Sequence, residues 1–172
     1  MKNLSVVLFV AIALFFGGCK SEEKNQSIAL NNIEFSLEGP LYSGSNPAQY
    51  TFKVDLKTLL GENYKEGATI KSASLKSAKI RSLDSATSME NINSFVLSFA
   101  SDSKDIKMKE LALLNPVTAG SKSADLKPSA TATDEEFFGE TQFYIVLDTD
   151  LKNDIEANLA FAADLVFDVN YK

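Results

Sequence analysis

Every second residue between Leu159 and Tyr171 is apolar: Leu159, Phe161, Ala163, Leu165, Phe167, Val169 and Tyr171. Ala160, Ala162, Asp164, Val166, Asp168 and Asn170 alternate with them, so the second face turns polar toward the C-terminus. Successive side chains of a strand point to opposite faces, and this pattern therefore predicts a long strand with one side on a core. At roughly 3.3 Å per residue it would run about 40 Å, long for a strand, so a bend or bulge is expected near Ala162 and Ala163. Such a strand needs paired neighbours and a second layer over its apolar side, and the upstream chain must supply both.

Short alternating runs upstream meet that demand. Ile33, Phe35 and Leu37 read as a strand ending at Gly39-Pro40, and Tyr50, Phe52, Val54 and Leu56 as a second one. Asp55 is placed to cap a helical turn over Leu56 to Leu60, ended by Gly61. Within Ala68 to Leu83 the apolar spacing breaks phase after Leu75, which predicts a bulge near Lys76 and Ser77. The charges of that strand, Lys71, Lys76, Lys79 and Arg81, are all basic. A guarded sheet edge explains such a row more simply than an anion or polysaccharide contact. Phe95, Leu97 and Phe99 share one strand face. Ile106, Met108, Leu111 and Leu113 suggest another strand, with a slip at Lys109 and Glu110. Val117 to Thr133 reads as a long excursion holding one weak strand around Ser123 to Leu126, and as the segment most suited to partner contact. Gln142 to Leu147 is apolar on both faces, as in a central strand. Leu151, Ile155 and Leu159 recur every four residues, which predicts a helix over Asp148 to Asn158 capped by Thr149 or Asp150. The fold expected is all-β, a two-layer antiparallel β-sandwich, jelly-roll or immunoglobulin-like, with one or two short helical turns.

With 172 residues, 45% of them hydrophobic, the chain suffices for one core. Its net charge of −6 argues against nucleic acid or anionic lipid headgroups as partners. There is no histidine or tryptophan, and the single cysteine, Cys19, leaves no internal disulfide.

The surroundings of Cys19 give it a role. Lys2 forms a positive start, Leu4 to Phe16 an apolar run of 13 residues, and Gly17 and Gly18 lead into the cysteine. Phe16 stands where the consensus has Leu. Residues 1–18 resemble a bacterial lipoprotein signal peptide, which implies cleavage before Cys19 and its modification with lipid. A span would need about 20 apolar residues. Residues 19–29, beginning Lys20-Ser21-Glu22-Glu23, read as a polar tether to a domain over 30–172. Lys20 follows the cysteine in place of the Asp that retains enteric lipoproteins at the inner membrane. The Lys-Ser-Glu-Glu stretch resembles the export tag of Bacteroidota-type lipoproteins. The order of strands from Ile70 onward is similar to small sandwich lipoproteins of unassigned function from that lineage. These resemblances imply a lipid-anchored outer-membrane protein, surface-exposed, with a periplasm-facing position as the alternative.

The inventory of reactive groups is short. Without histidine there is no Ser-His or Cys-His pair and no imidazole ligand, so no catalytic, cofactor or metal residue is assigned. Asp148, Asp150 and Asp154, and Asp134, Glu135 and Glu136, are carboxylate clusters that would serve a glycosidase if two faced each other, though solvated turns explain them more simply. A loose calcium site at Asp148, Asp150 and Asp154 is the other option, lacking the glycine and closing glutamate of an EF-hand loop. The resulting expectation is a non-catalytic binding or assembly module with no cofactor. Absence of tryptophan favours a protein partner over a glycan. An acidic-residue enzyme and a purely structural surface component are the alternatives.

Overall fold

The computed structural model describes residues 23–84, 89–129 and 134–172. Among these residues eight strands form: β1 (Lys24–Leu37), β2 (Gly44–Lys53), β3 (Ile70–Ser82), β4 (Ile92–Ala100), β5 (Lys109–Leu114), β6 (Ser123–Pro128), β7 (Gln142–Leu151) and β8 (Leu159–Tyr171). Two short helices join them, α1 (Leu56–Leu60) and α2 (Glu135–Phe138). The pairings β1 with β8, β2 with β7, β3 with β6 and β4 with β5 lay the second half of the chain back along the first. Lateral pairing of β8 with β3 and of β7 with β4 rolls this long hairpin into two layers, β1-β8-β3-β6 and β2-β7-β4-β5. That order is the jelly-roll form of the expected sandwich. On one side the layers are stitched between β5 and β6 by the pairs Ala112 with Pro128 and Leu113 with Lys127, and just beyond them the Ser129 N–H donates to the Leu111 carbonyl at 2.8 Å. On the other side β1 and β2 are the two sheet edges.

The alternation in β8 is realised: all seven of its odd-numbered residues are buried. β8 itself carries no extra residue at Ala162 or Ala163. The strain of its length is taken up in its neighbours, by Asn31 and Asn32 of β1 opposite Asp164 and by Lys71 and Lys76 of β3. Asn32 adopts a φ of 56°, a conformation Asn tolerates, and its N–H donates to Asp164 Oδ1 at 2.8 Å. This bulge reverses which residues of β1 face inward. Ile28 and Leu30 are buried before it, and Ile33, Phe35 and Leu37 after it. Residues 24–29, expected to be tether, are therefore strand, paired from Lys24 opposite Tyr171 to Ala29 opposite Val166. Residues 1–22, with the signal-peptide segment, Cys19 and the start of the tether, lie outside the described residues.

Phenylalanine fills the space between the layers. Phe99 of β4 stacks on Phe167 of β8 with centroids 5.6 Å apart and an 18° interplanar angle. Phe99 also meets Phe143 of β7 at 4.5 Å, and Phe95 meets Phe161 edge-on at 5.2 Å. From α2, Phe137 and Phe138 reach Phe99 at 5.0 and 6.3 Å, so this single turn plugs one region of the core.

Several local expectations are met. Asp55 caps α1, its carboxylate accepting from the Lys57 N–H at 3.0 Å and the Thr58 hydroxyl at 2.6 Å, and Gly61 ends the turn at φ 56°. The bulge in β3 falls at Lys76. Others are corrected. β6 covers β3 only from Ala78 to Arg81, so Lys79 and Arg81 guard no edge, whereas Lys71 and Lys76 lie where, among the described strands, β3 pairs with β8 alone; Lys76 Nζ sits 3.4 Å from Asp168 and Arg81 Nε 3.9 Å from Asp164 across β8. In β5 Leu111 is the extra residue, which buries Leu111 and Ala112 and leaves Leu113 outward, while Met108 precedes the strand and is 60% exposed. β7 does lie between two strands, but its outer face is only half-covered at Tyr144 and Val146. The helix over Asp148 to Asn158 does not form. Leu151 belongs to β7, Ile155 exchanges two 2.8 Å backbone bonds with Leu41, and Leu159 opens β8. A spacing of four arose from three separate elements.

Candidate binding cleft

A cleft of about 670 Å³ opens at one end of the sandwich, between the segment leading into β4, the turn after Val117 and the loop from β7 to β8. Ile92 and Leu159, the first residues of β4 and β8, and half-buried Ile155 supply apolar lining. Asn91, Lys152 and Asn153 supply the polar groups. These are held in place by one another. The Lys152 N–H donates to the Asn91 carbonyl at 2.9 Å, and Lys152 Nζ to the Glu90 carbonyl at 2.7 Å. Asn153 Nδ2 donates to Asn91 Oδ1 at 2.9 Å, while Asn91 Nδ2 returns a 3.1 Å bond to the Asn153 carbonyl. The site is thus a preformed concavity with an aliphatic interior and an amide rim, the mixture typical of ligand pockets. Among the described residues no aromatic ring lines it.

Two further depressions flank the sheets. One, about 520 Å³, is a polar groove over β1, β8 and β3 lined by Ser27, Ser72, Ser74, Asp168 and Asn170. There the Ser27 hydroxyl donates to Asp168 at 2.5 Å and holds its carboxyl below the usual aspartate range, with Lys76 adding to the effect. The other, about 290 Å³, lies between the sheet edges, where Leu30, Ile33, Tyr50, Phe52 and Leu59 converge.

The carboxylate clusters do not assemble into a site. Asp148 projects from the outer face of β7 and accepts from the Ser45 hydroxyl at 2.8 and 2.9 Å. Asp150 lies two residues along the strand, and Asp154 in the following turn accepts the Ser43 N–H at 2.8 Å. Among the described residues no group of three or more acidic or sulfur side chains converges, so Asp148, Asp150 and Asp154 are not brought together as ligands. Glu90, Asp168 and Asp55 line one cleft each, with no second carboxylate opposite them among the described residues.

Asp134 departs from the solvated turn expected of it. It is fully buried, with Lys109 Nζ of β5 at 3.4 Å from Oδ1. Burial pushes its carboxyl up to about 6, opposed by Lys109 and reinforced by Glu135 and Glu136. The sequence signal was Phe137-Phe138: two rings anchored in the core carry the adjacent acid inward with them.

No protein-family model and no curated protein matches the chain. Among solved structures it is similar to a 60-mer BFDV capsid protein, at 12% identity and a TM-score of 0.42, covering 88% of this chain and 94% of that one. It is also similar to FlhE, at 12% identity and a TM-score of 0.29, covering 88% and 99%. Similarity this low bears on neither activity nor partners.

Proposed function

We propose that this chain is a lipid-anchored lipoprotein of the cell envelope, held in the outer membrane through Cys19 and displayed at the surface, that works as a non-catalytic binding or assembly module. The leader pattern around Cys19 supports the anchor, since two or three acyl chains at ~0.8 kcal/mol per buried methylene hold a protein stably on a bilayer. The observation that carries the binding role is the end cleft, where a rim of mutually bonded Asn91, Lys152 and Asn153 surrounds aliphatic lining. Its lack of any ring favours a protein partner over a glycan, because sugars stack on aromatic faces. The charge of −6 argues against nucleic acid.

Affinity capture from crosslinked cells tests this, with the wild-type protein and an Ala157→Trp variant as baits. Ala157 is exposed and lines the cleft, so an indole at that position occupies the cleft without replacing a core side chain. A partner recovered with wild type and lost with the variant, at unchanged melting temperature, is the expected result. Equal recovery by both baits would remove the cleft from the function.

A further inference from the structure

Asp134 occupies the position before α2 yet makes no capping bond; its side chain turns into the protein instead. Its backbone N–H donates to the Ala73 carbonyl of β3 at 2.8 Å, while its carboxylate faces Lys109 of β5. One residue thereby ties α2 to both layers of the sandwich. Both carboxylate oxygens are enclosed, and among the described residues neither has a hydrogen-bonding partner beyond the Lys109 ammonium, 3.4 Å from Oδ1. A buried ionised carboxylate in that condition is costly, and an ion pair at 3.4 Å offsets only part of the cost. The charged groups acting on it are Lys109 from β5 and Glu135 and Glu136 from α2. β3 presents the Ala73 carbonyl, and β7 meets α2 through Phe143, which contacts Phe137 and Phe138 at 5.9 and 5.6 Å.

We propose that Asp134 is a proton-controlled latch on the α2 plug, tight when its carboxyl is neutral and looser when it is charged, with the Lys109 ion pair limiting how far it loosens. The sign follows from linkage. In the docked state the carboxyl titrates at about 6, against 3.8 for a solvated aspartate. The neutral form is therefore favoured by docking, and stability present below the lower value is lost as pH rises through the higher. The separation allows the undocking constant to increase about 100-fold across that window. Undocking would uncover Phe137 and Phe138, so the latch governs access to the aromatic core from that side.

Amide exchange of Asp134 reads the latch directly, because its N–H is bonded to Ala73. In the full chain held in detergent micelles, protection corrected for intrinsic rates should fall roughly 30-fold between pH 4.5 and 7.5. In Asp134→Asn it should stay level. The same fall in the variant would overturn the proposal. Carboxyl NMR gives a second check that does not need that variant: the Asp134 midpoint should lie near 6 and move higher in Lys109→Met. A midpoint near 3.8, or one indifferent to Lys109, would equally overturn it.

Discussion

Phe167→Ala probes the packing of the long final strand most sharply. Phe167 is completely buried, stacked on Phe99 and met edge-on by Phe138 at 5.6 Å. Removing a buried phenyl ring costs about 3–5 kcal/mol, and the cost depends on how far the site can collapse. Here Phe99 and Phe138 are themselves braced against Phe143, so little collapse is available and the upper part of the range, about 4–5 kcal/mol, is expected. For a domain of this size each kcal/mol moves the melting temperature by about 2–4 °C, so the midpoint should drop by about 8–20 °C. Urea unfolding followed by circular dichroism measures the loss, with the slope of the transition checking that both proteins unfold in two states. Val166→Ala, one residue earlier and on the opposite face, is the internal control and should cost under about 1 kcal/mol. A Phe167 loss below about 1 kcal/mol, or equal losses at the two positions, would refute the inward assignment of the odd-numbered residues.

Other outcomes follow from single contacts. A Cβ at Gly39 would stand 2.4 Å from the Glu156 carbonyl oxygen, so Gly39→Ala should destabilise by about 1–3 kcal/mol in the same urea assay. Ser27→Ala removes the hydroxyl that lowers the Asp168 carboxyl; its NMR titration midpoint should rise toward that of an ordinary aspartate, and the stability that wild type holds above the ordinary midpoint and loses as pH falls through the depressed one should shrink in the variant. Cys19→Ser should move the protein from the membrane to the soluble fraction on cell fractionation, and continued membrane retention would contradict lipid anchoring. Protease added to intact cells should cut the domain as it cuts known surface proteins; protection would place the domain inside.

Much of the fold can be read from alternation, and what escapes it has local causes. β8 keeps one phase throughout, β4 keeps one from Phe95 onward after the extra residue Asn93, and the cap marks α1, so these inward faces are visible in the chain. β1 changes phase at Asn31 and Asn32, which hides Ile28 and Leu30 and makes the segment before Leu30 look like linker. The apparent helix after Asp148 fails because Leu151, Ile155 and Leu159 are held by three different strand contacts, none local in sequence. In the basic row of β3, two of the four side chains find carboxylates on β8, a pairing that depends on strand order and so cannot be seen in β3 alone. The end cleft is the least legible feature. Asn91, Lys152 and Asn153 belong to no motif, and only the roll of the sheet brings β4 beside the loop that leads into β8. The burial of Asp134 is hidden in a run of acids for the same kind of reason, since the two rings that follow decide it.

The binding role turns on whether the end cleft meets another molecule in the cell. A photo-crosslinking residue placed at Ala119, on the cleft wall, should yield a discrete adduct in living cells. The same residue at Ser74, in the polar groove over β3, should yield none. No adduct from position 119, or matching adducts from both, would contradict a binding function centred on that cleft.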